Sequence, residues 1–469
     1  MKQVFCCLLF FLFSISSAFS DDTSLVTLEE AIQAAFDYSG ERKIQLLDQM
    51  KSGYQVDEAK AGMFPVLDVQ ATASYMLNPP EGFSLPKGAM GYEPNQYSQT
   101  PVPFPEEDYP LMEDPENTYF SIEAGLQQPI FTWGKLRAGL ELAQQNYQLA
   151  ALKTEATEVE LTRQIRQIYY GIVFARSAVE KLEQIENLLE QTLSDRKKEF
   201  REEFINLEKV LESQKNVLML RTQIAEVREG YVKSAEAFSM ITGLDADQYT
   251  FENVLSTGVK QISDMDDVIQ YALWNSSDIQ RISAEEELAV LNKKLEKRTG
   301  QLRPDFFLDV GLDINGEQVP VVQSNWLETW DVNLTFTLGT KITLWDSGLS
   351  AAKRRQSAVS EQIAAEGLRQ TIANTETRVR GLLQSLTTAY YRVQEYEAKD
   401  RLMQEQLKNA IVSYENELIT RAERLGAEAA LLQNEVEYLS ALLSYQTIRA
   451  ELAAAAGLGP SATVFDRIR

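Results

Sequence analysis

The chain has 469 residues and a formal net charge of −24 at neutral pH, because 69 acidic residues outnumber 45 basic ones. A surplus of this size argues against nucleic acid or an anionic lipid surface as a general partner. The sequence has no histidine and so lacks the commonest metal ligand and the commonest general base near neutral pH. We therefore expect no metal site, no cofactor and no enzymatic activity.

The first 20 residues predict a signal peptide. Lys2 is followed by the apolar run VFCCLLFFLF and by the small-residue exit Ala18-Phe19-Ser20, which is the order of an export signal. Both cysteines, Cys6 and Cys7, lie inside the apolar run, so the mature chain would carry no disulfide. No later segment holds about 18 uninterrupted apolar residues. We expect the mature chain to leave the cytoplasm and to cross no bilayer as a helix.

The rest of the chain passes twice through the same order of elements, which predicts an internal duplication. A helical segment opens each copy, over 27–63 and 266–302. It meets a proline, Pro65 in AGMFPVLDV and Pro304 in GQLRPDFFLDV, where a helix must stop. Two strands, a very long helix and a return helix follow in each copy. The predicted domains are a signal peptide over 1–20, a first repeat over 21–243, an equatorial linker over 244–265, a second repeat over 266–457 and a short tail over 458–469.

The strands alternate strictly between apolar and polar residues, so one face lies in an apolar medium and the other in a polar one. They are predicted over 66–77, 120–128, 306–314 and 330–344, each near the length of a tilted membrane strand. A half-buried sheet of a soluble protein would show the same alternation, but the export signal favours a membrane barrel. Four strands are too few to close a barrel, so several chains must contribute, and three chains would give twelve strands.

Four acids lie on the polar strand face, where they would line a lumen and favour cations or repel anions. These are Asp68, Asp309, Asp313 and Asp331. Ordinary solvation is an equally good explanation for them. Trp330 and Trp345 lie near strand ends and suit an interfacial aromatic girdle, whereas packing at the junction of strand and helix is preferred for Phe131.

The loops between the strands differ. The segment 78–118 holds nine of the 14 prolines, which predicts an extended, irregular loop, and we place it outside the cell. The second loop, 315–329, is shorter and contains Trp326.

The long helices, predicted over 133 to about 200 and 346 to about 416, have coiled-coil spacing. Apolar residues from Leu161 onward recur at steps of four and three, and the pattern returns from Leu382 onward. At about 1.5 Å per residue each helix would reach about 100 Å. The shorter segments 27–63 and 207–241, stacked end to end, match that length. A hollow tube of paired helices below a barrel follows.

Several motifs resemble the outer-membrane efflux proteins of the TolC type. The turn from strand into long helix reads QQPIFTWGKLRAGLELA in the first copy, with Pro129 and Gly134 in the family's places, and its second copy FTLGTKITLWDSGLSAAK keeps Gly348 but lacks the proline. The stretch that begins SYENELITRAERLG and continues through the return helix resembles the family's in Leu418 and Thr420, and FREEFINLEKVLESQKNVLM is its weaker first copy. The resemblance extends over residues 27 to 460.

The resemblance implies an α+β membrane protein: a trimeric, 12-stranded outer-membrane β-barrel with four strands per chain, continuing into a long periplasmic α-helical coiled-coil barrel. It also implies an iris of acidic residues at the periplasmic tip. The gate candidates are Glu423, Glu208, Lys209, Tyr414 and Arg421. Lys209 stands where the first copy would repeat the acid, and Gly426 where some members have another, so a double aspartate ring is absent. Glu203 and Glu417 occupy tip positions where the family often has glycine.

The implied function is the passive exit duct of a tripartite efflux or type I secretion system in the outer membrane of a Gram-negative bacterium. The implied partners are two further copies of the chain, outer-membrane lipid, a periplasmic adaptor (membrane fusion protein), and an inner-membrane pump of the RND or ABC type. A secreted coiled-coil adaptor, or a structural or adhesin protein without a pore, is the alternative. It would need no outward-facing apolar band on its strands.

Overall fold

The computed structural model describes residues 25–79, 81–94, 100–112, 116–262, 264–317 and 330–458. The predicted signal peptide, Trp326 and all but the first residue of the predicted C-terminal tail lie outside these ranges. None of the helices in the described ranges combines the length and hydropathy of a membrane-spanning helix.

Helices dominate the described chain, and two of them, α3 and α7, have 67 residues each. The helices are α1 (Leu28–Tyr38), α2 (Gly40–Ala61), α3 (Lys135–Arg201), α4 (Leu207–Thr242), α5 (Met265–Asn275), α6 (Ser277–Thr299), α7 (Leu349–Glu415) and α8 (Arg421–Ala455). The strands are β1 (Leu25–Val26), β2 (Val66–Tyr75), β3 (Phe83–Leu85), β4 (Tyr92–Glu93), β5 (Val102–Pro103), β6 (Tyr109–Met112), β7 (Thr118–Phe131), β8 (Thr250–Phe251), β9 (Asp305–Gly316) and β10 (Trp330–Lys341).

The described residues fall into two compact units. One comprises the described parts of Asp48–Ala150 and Ala284–Glu366, and the main sheet lies within it. The other is helical and comprises the described parts of Met1–Leu47, Ala151–Ser283 and Gly367–Arg469.

The main sheet is antiparallel, with strand order β10-β9-β7-β2. Its alternation separates the side chains as the sequence predicts. On the outermost strands the apolar face is exposed, as at Leu67, Val69, Leu334 and Phe336. In water, exposed apolar surface costs about 25 cal/mol of free energy per Å². An apolar surrounding removes that cost.

Strands β2 and β10 are the two edges of this sheet. Within the described part of the chain nothing pairs with their outer sides, so each leaves a row of backbone N–H and C=O groups open for another strand. β2 has 10 residues and β10 has 12. Two edges of similar length can pair with each other in a neighbouring copy.

The register of the sheet places two carboxylates directly opposite each other on the polar face. Glu123 of β7 is the partner of Asp313 of β9, and like charges in such a pair repel. Asp309 is paired with Gln127, and Asp331 with Asn315. The polar face therefore also carries Glu123, which is not among the four predicted lumen acids.

The ends of the strands differ from the prediction. β2 ends at Tyr75 and β10 at Lys341, earlier than the predicted 77 and 344. Pro129 lies within β7, at the point where the register with β9 shifts between Pro129 and Phe131. A proline has no N–H for the ladder, so it is tolerated in a strand at such a bulge. Phe131 packs edge to face on Trp133, with 4.7 Å between ring centroids.

The turns from strand to long helix use the same left-handed backbone in both copies. Trp133 and Gly134 have φ of 54° and 75°, and Ser347 and Gly348 have φ of 56° and 86°. Glycine adopts this conformation at no steric cost, which accounts for its presence in both motifs. Pro65 and Pro304 each directly precede a strand, β2 and β9.

Each opening helix, expected to be continuous over 27–63 and 266–302, is broken once. The breaks fall at Ser39 and Ser276, whose ψ values of 118° and 121° are far from helical. The helix resumes at once, because the carbonyl of Ser39 accepts the N–H of Lys43, and that of Ser276 the N–H of Gln280. Serine is a weak helix former that favours helix ends.

The proline-rich segment 78–118 is more regular than expected. Its described residues form two short antiparallel pairs, β3 with β6 and β4 with β5. Because proline cannot donate to a ladder, the strands are only two to four residues long.

The core of the helical unit contains two fully buried tyrosines that hold loop backbone. Tyr169 donates to the carbonyl of Val26 (2.8 Å) and accepts the N–H of Glu252 (2.9 Å). Tyr445 donates to the carbonyl of Lys260 (2.8 Å) and accepts its N–H (3.0 Å). Burial raises the pKa of Tyr169 to about 12, so its hydroxyl stays protonated and able to donate.

The return helices end in the same way in both copies. Gly243 follows α4 and Gly457 lies just beyond α8, with φ of 73° and 68°. A Cβ on Gly243 would meet the ring of Tyr38 at 2.8 Å, and one on Gly457 would meet the backbone carbonyl oxygen of Asn275 at 1.9 Å. Tyr38 and Asn275 directly precede the two serine breaks, so each return helix ends against a break.

Candidate gate at the helix ends

The turns between long and return helices are built alike. After α3 the N–H of Phe204 donates to the carbonyl of Glu199 (2.9 Å), and after α7 the N–H of Leu418 donates to that of Ser413 (2.8 Å). These are the long hydrogen bonds of a Schellman C-cap, whose left-handed position is usually glycine. Here that position is Glu203 in one turn and Glu417 in the other, with φ of 62° and 63°.

Glutamate in this conformation is strained, so replacing it with glycine is expected to stabilise the turn. The left-handed region costs a non-glycine residue about 1–2 kcal/mol, and the greater freedom of glycine in the unfolded chain takes back about 0.5–1 kcal/mol. Glu203→Gly and Glu417→Gly should therefore slow amide hydrogen exchange at Phe204 and Leu418 by a few-fold. The control is Glu202→Gly, since Glu202 does not have positive φ; that variant should exchange faster. Unchanged exchange in the first two variants would show that the glutamates carry no strain.

The start of α8 explains the position of Glu423 without reference to a pore. Thr420 is the N-cap, and its backbone N–H and hydroxyl donate to the Glu423 carboxylate at 2.7 and 3.0 Å. The N–H of Glu423 donates back to the Thr420 hydroxyl at 3.3 Å, which completes a capping box. The hydrogen bond from the Thr420 backbone lowers the pKa of Glu423.

The matching start of α4 has no such box. Asn206 is the N-cap, and its side chain accepts the N–H of Lys209 at 3.3 Å. Lys209 cannot reciprocate because an ammonium group only donates, and it pairs with Glu212 at 3.5 Å instead. Glu208 accepts from the Asn206 amide. Among the described residues no hydrogen bond or ion pair joins Glu208 or Lys209 to Glu423.

Arg421, the first residue of α8, links this helix to α3. Its guanidinium donates to Asp195 at 3.1 Å and to Gln191 at 2.9 Å. Asp195 is partly buried and also pairs with Lys198 of its own helix at 3.3 Å. The Arg421 contacts therefore hold the end of one hairpin against the other.

Tyr414, on the last turn of α7, lies under the guanidinium of Arg424, 5.7 Å from the ring centroid. This contact joins α7 to α8 across the turn. The structure thus places Tyr414, Arg421 and Glu423 around one helix start, whereas Glu208 and Lys209 lie at the equivalent start in the other copy. Asp195 and Gln191 could not be identified from the sequence, because their contact with Arg421 depends on how α8 packs on α3.

Each turn also exposes one large apolar side chain at the equivalent place. Phe204 is 77% exposed and Leu418 76% exposed. Apolar side chains at the outermost point of a hairpin gain nothing from folding of this chain and are available to a partner.

Comparison with known proteins links this geometry to a family. Residues 45–244 match the family model described as outer membrane efflux protein. No curated protein matches the sequence of the chain.

Solved structures match the fold over nearly the whole chain. The outer membrane protein VceC from Vibrio cholerae has a TM-score of 0.70 and 16% identity, covering 92% of this chain and 97% of its own. The CmeC outer membrane channel of Campylobacter jejuni has a TM-score of 0.70 and 14% identity, covering 93% and 87%. The MtrE outer membrane channel of Neisseria gonorrhoeae, solved in its open state, has a TM-score of 0.69 and 14% identity, covering 92% and 89%.

At these identities the structural matches establish the fold, and the family match supplies the sequence pattern over residues 45–244. The predicted resemblance is confirmed at this level: residues 45–244 match the family model of the outer membrane efflux proteins, and the fold of the chain is that of the solved outer-membrane channels.

Proposed function

We propose that the chain forms, as a homotrimer, the passive exit duct of a tripartite efflux or type I secretion system in the outer membrane of a Gram-negative bacterium. The observation that carries this proposal is the main sheet, which has an apolar face that is exposed on its two outer strands, and two open edges. A secreted adaptor or adhesin needs neither feature. A duct needs no catalytic group, so the proposal does not include enzymatic activity.

The open edges support closure by three copies. β2 of one copy would pair with β10 of the next, and three four-stranded sheets would close a barrel of twelve strands with the apolar face toward lipid. Long helices would then continue each wall into the periplasm as a coiled-coil barrel. Closure satisfies the backbone groups that lipid cannot hydrogen-bond.

The polar face of the sheet would line the lumen. Asp68, Asp309, Asp313 and Asp331 are proposed lumen acids, and Glu123, opposite Asp313, joins them. Three copies of these acids would make the upper duct attractive to cations and repulsive to anions.

The periplasmic gate is proposed at the hairpin ends. Arg421, held by Asp195 and Gln191, would keep α8 packed against α3 in the closed state. Opening would need a second way of packing these helices, with a free energy within about a few kcal/mol of that of the closed packing. Tyr414, Glu208 and Lys209 complete the proposed gate region.

The exposed Phe204 and Leu418 support contact with a periplasmic adaptor at the same hairpin ends. A protein interface typically has an apolar centre surrounded by a polar rim. Phe204 and Leu418 would supply such a centre. The adaptor would connect the duct to an inner-membrane pump of the RND or ABC type, which supplies the energy.

Single-channel recording in planar bilayers tests the duct proposal. The detergent-extracted protein should migrate as a trimer, insert, and pass small currents that select cations over anions. A water-soluble monomer that forms no pore would contradict the proposal and favour the adaptor or adhesin alternative.

Two substitutions separate the capping role of Glu423 from a role in an acidic ring. Glu423→Gln keeps an acceptor for Thr420 and should leave the helix start intact, whereas Glu423→Ala should destabilise it by about 1 kcal/mol, seen as faster hydrogen exchange in the first turn of α8. If Glu423 also forms a ring, both variants should lower cation selectivity equally. Selectivity retained in both would exclude the ring.

The same residue has a defined pH dependence. Because the pKa of Glu423 is lower in the folded chain than its ordinary value of 4.5, its charge stabilises the helix start above about pH 4.5, and this contribution is lost as the pH falls through the folded-state pKa. The difference in exchange rate between Glu423→Ala and the wild type should therefore shrink in strong acid.

A further inference from the structure

The two helical hairpins of the chain correspond residue for residue. The first consists of α3 and α4 and the second of α7 and α8, and the two long helices have 67 residues each. In the first copy Glu203 and Gly243 have left-handed backbone. Their equivalents, Glu417 and Gly457, have it too and lie at the same spacing in sequence. Each residue of one hairpin therefore has one equivalent in the other, and a change between equivalents marks a difference between the hairpins.

Ion pairs hold the two helices of the first hairpin together. The guanidinium of Arg221 on α4 donates to Glu186 and Glu190 of α3, both at 2.6 Å. Further along α4, Arg228 donates to Glu183 of α3 at 2.5 Å. Each exposed pair is weak by itself, but together the two arginines engage three carboxylates of the long helix.

The second hairpin has the opposite charge at the place of the first arginine. Glu435 of α8 is the equivalent of Arg221. The α7 residues at the positions of its two carboxylate partners are Asp400 and Gln404, and they line a cavity of about 590 Å³ together with Glu435. The carboxylate of Glu435 accepts a hydrogen bond from Lys181 of α3 instead. This side chain therefore links α8 to α3 and leaves α7 out.

Two polar side-chain contacts still join α7 to α8 around this cavity. Lys399 pairs with Glu437 at 2.9 Å, with 41% and 36% of the two side chains exposed. The hydroxyl of Tyr438 donates to Glu397 at 3.2 Å. A half-exposed ion pair contributes little to stability, so these contacts do not replace the arginine bonds of the first hairpin.

The residue before Glu435 is a buried amide. Asn434 is 1% exposed, and its side-chain oxygen has no hydrogen-bond partner among the described residues. Its side-chain nitrogen donates to the carbonyl of Tyr396 on α7 at 3.5 Å, which is a long bond. The equivalent of Asn434 in the first copy is Leu220, which packs in an apolar cluster with Leu182 of α3. A buried oxygen without a partner costs free energy that a leucine does not, so the contact of α8 with α7 is weakened at this point.

We propose that Asn434 and Glu435 form a hinge in the second hairpin, on which the end of that hairpin moves when the duct opens. The inference rests on the proposed function and adds the place at which the helices shift. Lys181 would keep α8 on α3 at the hinge, while the weak contact with α7 lets the two helices of the hairpin move against each other. Arg421 lies about 20 Å from the hinge along α8, at about 1.5 Å per residue. Release of its contacts would free the helix start without breaking the hinge.

Hydrogen exchange of the detergent-extracted protein measures the strength of the contact. Asn434→Leu gives the second hairpin the residue of the first and removes the unpaired oxygen, so the backbone amides over 394–400 of α7 should exchange at least about fivefold more slowly. Ala430→Leu is the matched control, because it adds the same side chain at an exposed position of α8. Its exchange should equal that of the wild type. Leu220→Asn, the reverse change, should speed exchange over 180–186 of α3.

Channel recording tests whether the hinge is used in opening. Adding Asn434→Leu to Arg421→Ala should lower the mean conductance at least about twofold, since a tighter contact favours the closed packing. Adding Ala430→Leu to the same variant should leave the conductance as it is. Equal exchange in Asn434→Leu and the wild type would overturn the weak contact, and an unaltered conductance of the double variant would overturn the hinge. A wild-type protein that forms no pore would contradict the duct and the use of the hinge together, whereas the exchange rates would still decide whether the contact is weak.

Discussion

Arg421→Ala is expected to raise the mean conductance of the reconstituted channel about fivefold or more. The substitution removes the link from the start of α8 to Asp195 and Gln191 on α3. A half-exposed ion pair contributes only about 0–1 kcal/mol, but a symmetric trimer would lose it three times. A shift of about 1–3 kcal/mol between two states changes their ratio about 5- to 150-fold.

The stability of the helices should change little in this variant. Asp195 keeps its ion pair with Lys198, so no partly buried carboxylate is left without a partner. Lys408→Ala is the matched control. Among the residues that the structure describes, Lys408 pairs only with Glu405 of its own helix, so its removal deletes the same charge without cutting a link between helices. Wild-type currents from Arg421→Ala, or an equal rise in Lys408→Ala, would exclude the proposed clamp.

Asp195→Asn should act in the same direction as Arg421→Ala. If the two side chains work through each other, the double variant should conduct no more than Arg421→Ala alone, since contacting residues are not additive. If the increases in conductance of the two single variants add fully in the double variant, the two side chains do not act through each other.

Gly457→Ala is expected to destabilise the helical unit by about 3 kcal/mol or more. The left-handed backbone alone costs alanine about 1–2 kcal/mol, and the new Cβ would lie 1.9 Å from the carbonyl oxygen of Asn275. Because backbone cannot rotate away, the end of α8 or the break after α5 must move. The measurement is the urea midpoint of the far-ultraviolet circular dichroism signal, together with the yield of assembled protein.

The first copy of the fold supplies one control, and a left-handed glycine without close neighbours supplies another. Gly243→Ala places its Cβ against the ring of Tyr38, which is 62% exposed and can turn aside, so about 1–2 kcal/mol is expected. Gly348→Ala meets nothing within 4 Å and reports the cost of the left-handed backbone alone. If all three variants lose the same stability, the close contact between the new Cβ and Asn275 adds nothing to the destabilisation.

The strands were predictable because their periodicity is local. Alternation identified both faces of all four long strands, and Pro65 and Pro304 correctly separate helix from strand. The register was not predictable, since it depends on pairing between strands far apart in sequence. The pairing of Glu123 with Asp313 therefore became visible only in the structure.

The helices show the same division. The coiled-coil spacing predicted the buried positions, and Ile165, Ile172 and Leu182 are indeed in the core. The serine breaks were not predictable, because one weak helix former does not by itself mark a break. The strained Glu203 and Glu417 were not predictable, because neighbouring segments impose their backbone angles against local preference. Arg421 was selected from the family's tip, but its partners on α3 follow only from packing.

The two open edges of the main sheet have a consequence for biogenesis. A single copy cannot satisfy the backbone of β2 and β10 by itself, so a lone chain in the bilayer would carry two unpaired ladders. Joining the copies and entering the membrane should then be one coupled event whose rate rises steeply with the concentration of unassembled chains. Before that event the same edges are sites for wrong pairing, so in the proposed trimer the unassembled chains would have to be kept from pairing with one another until three copies come together.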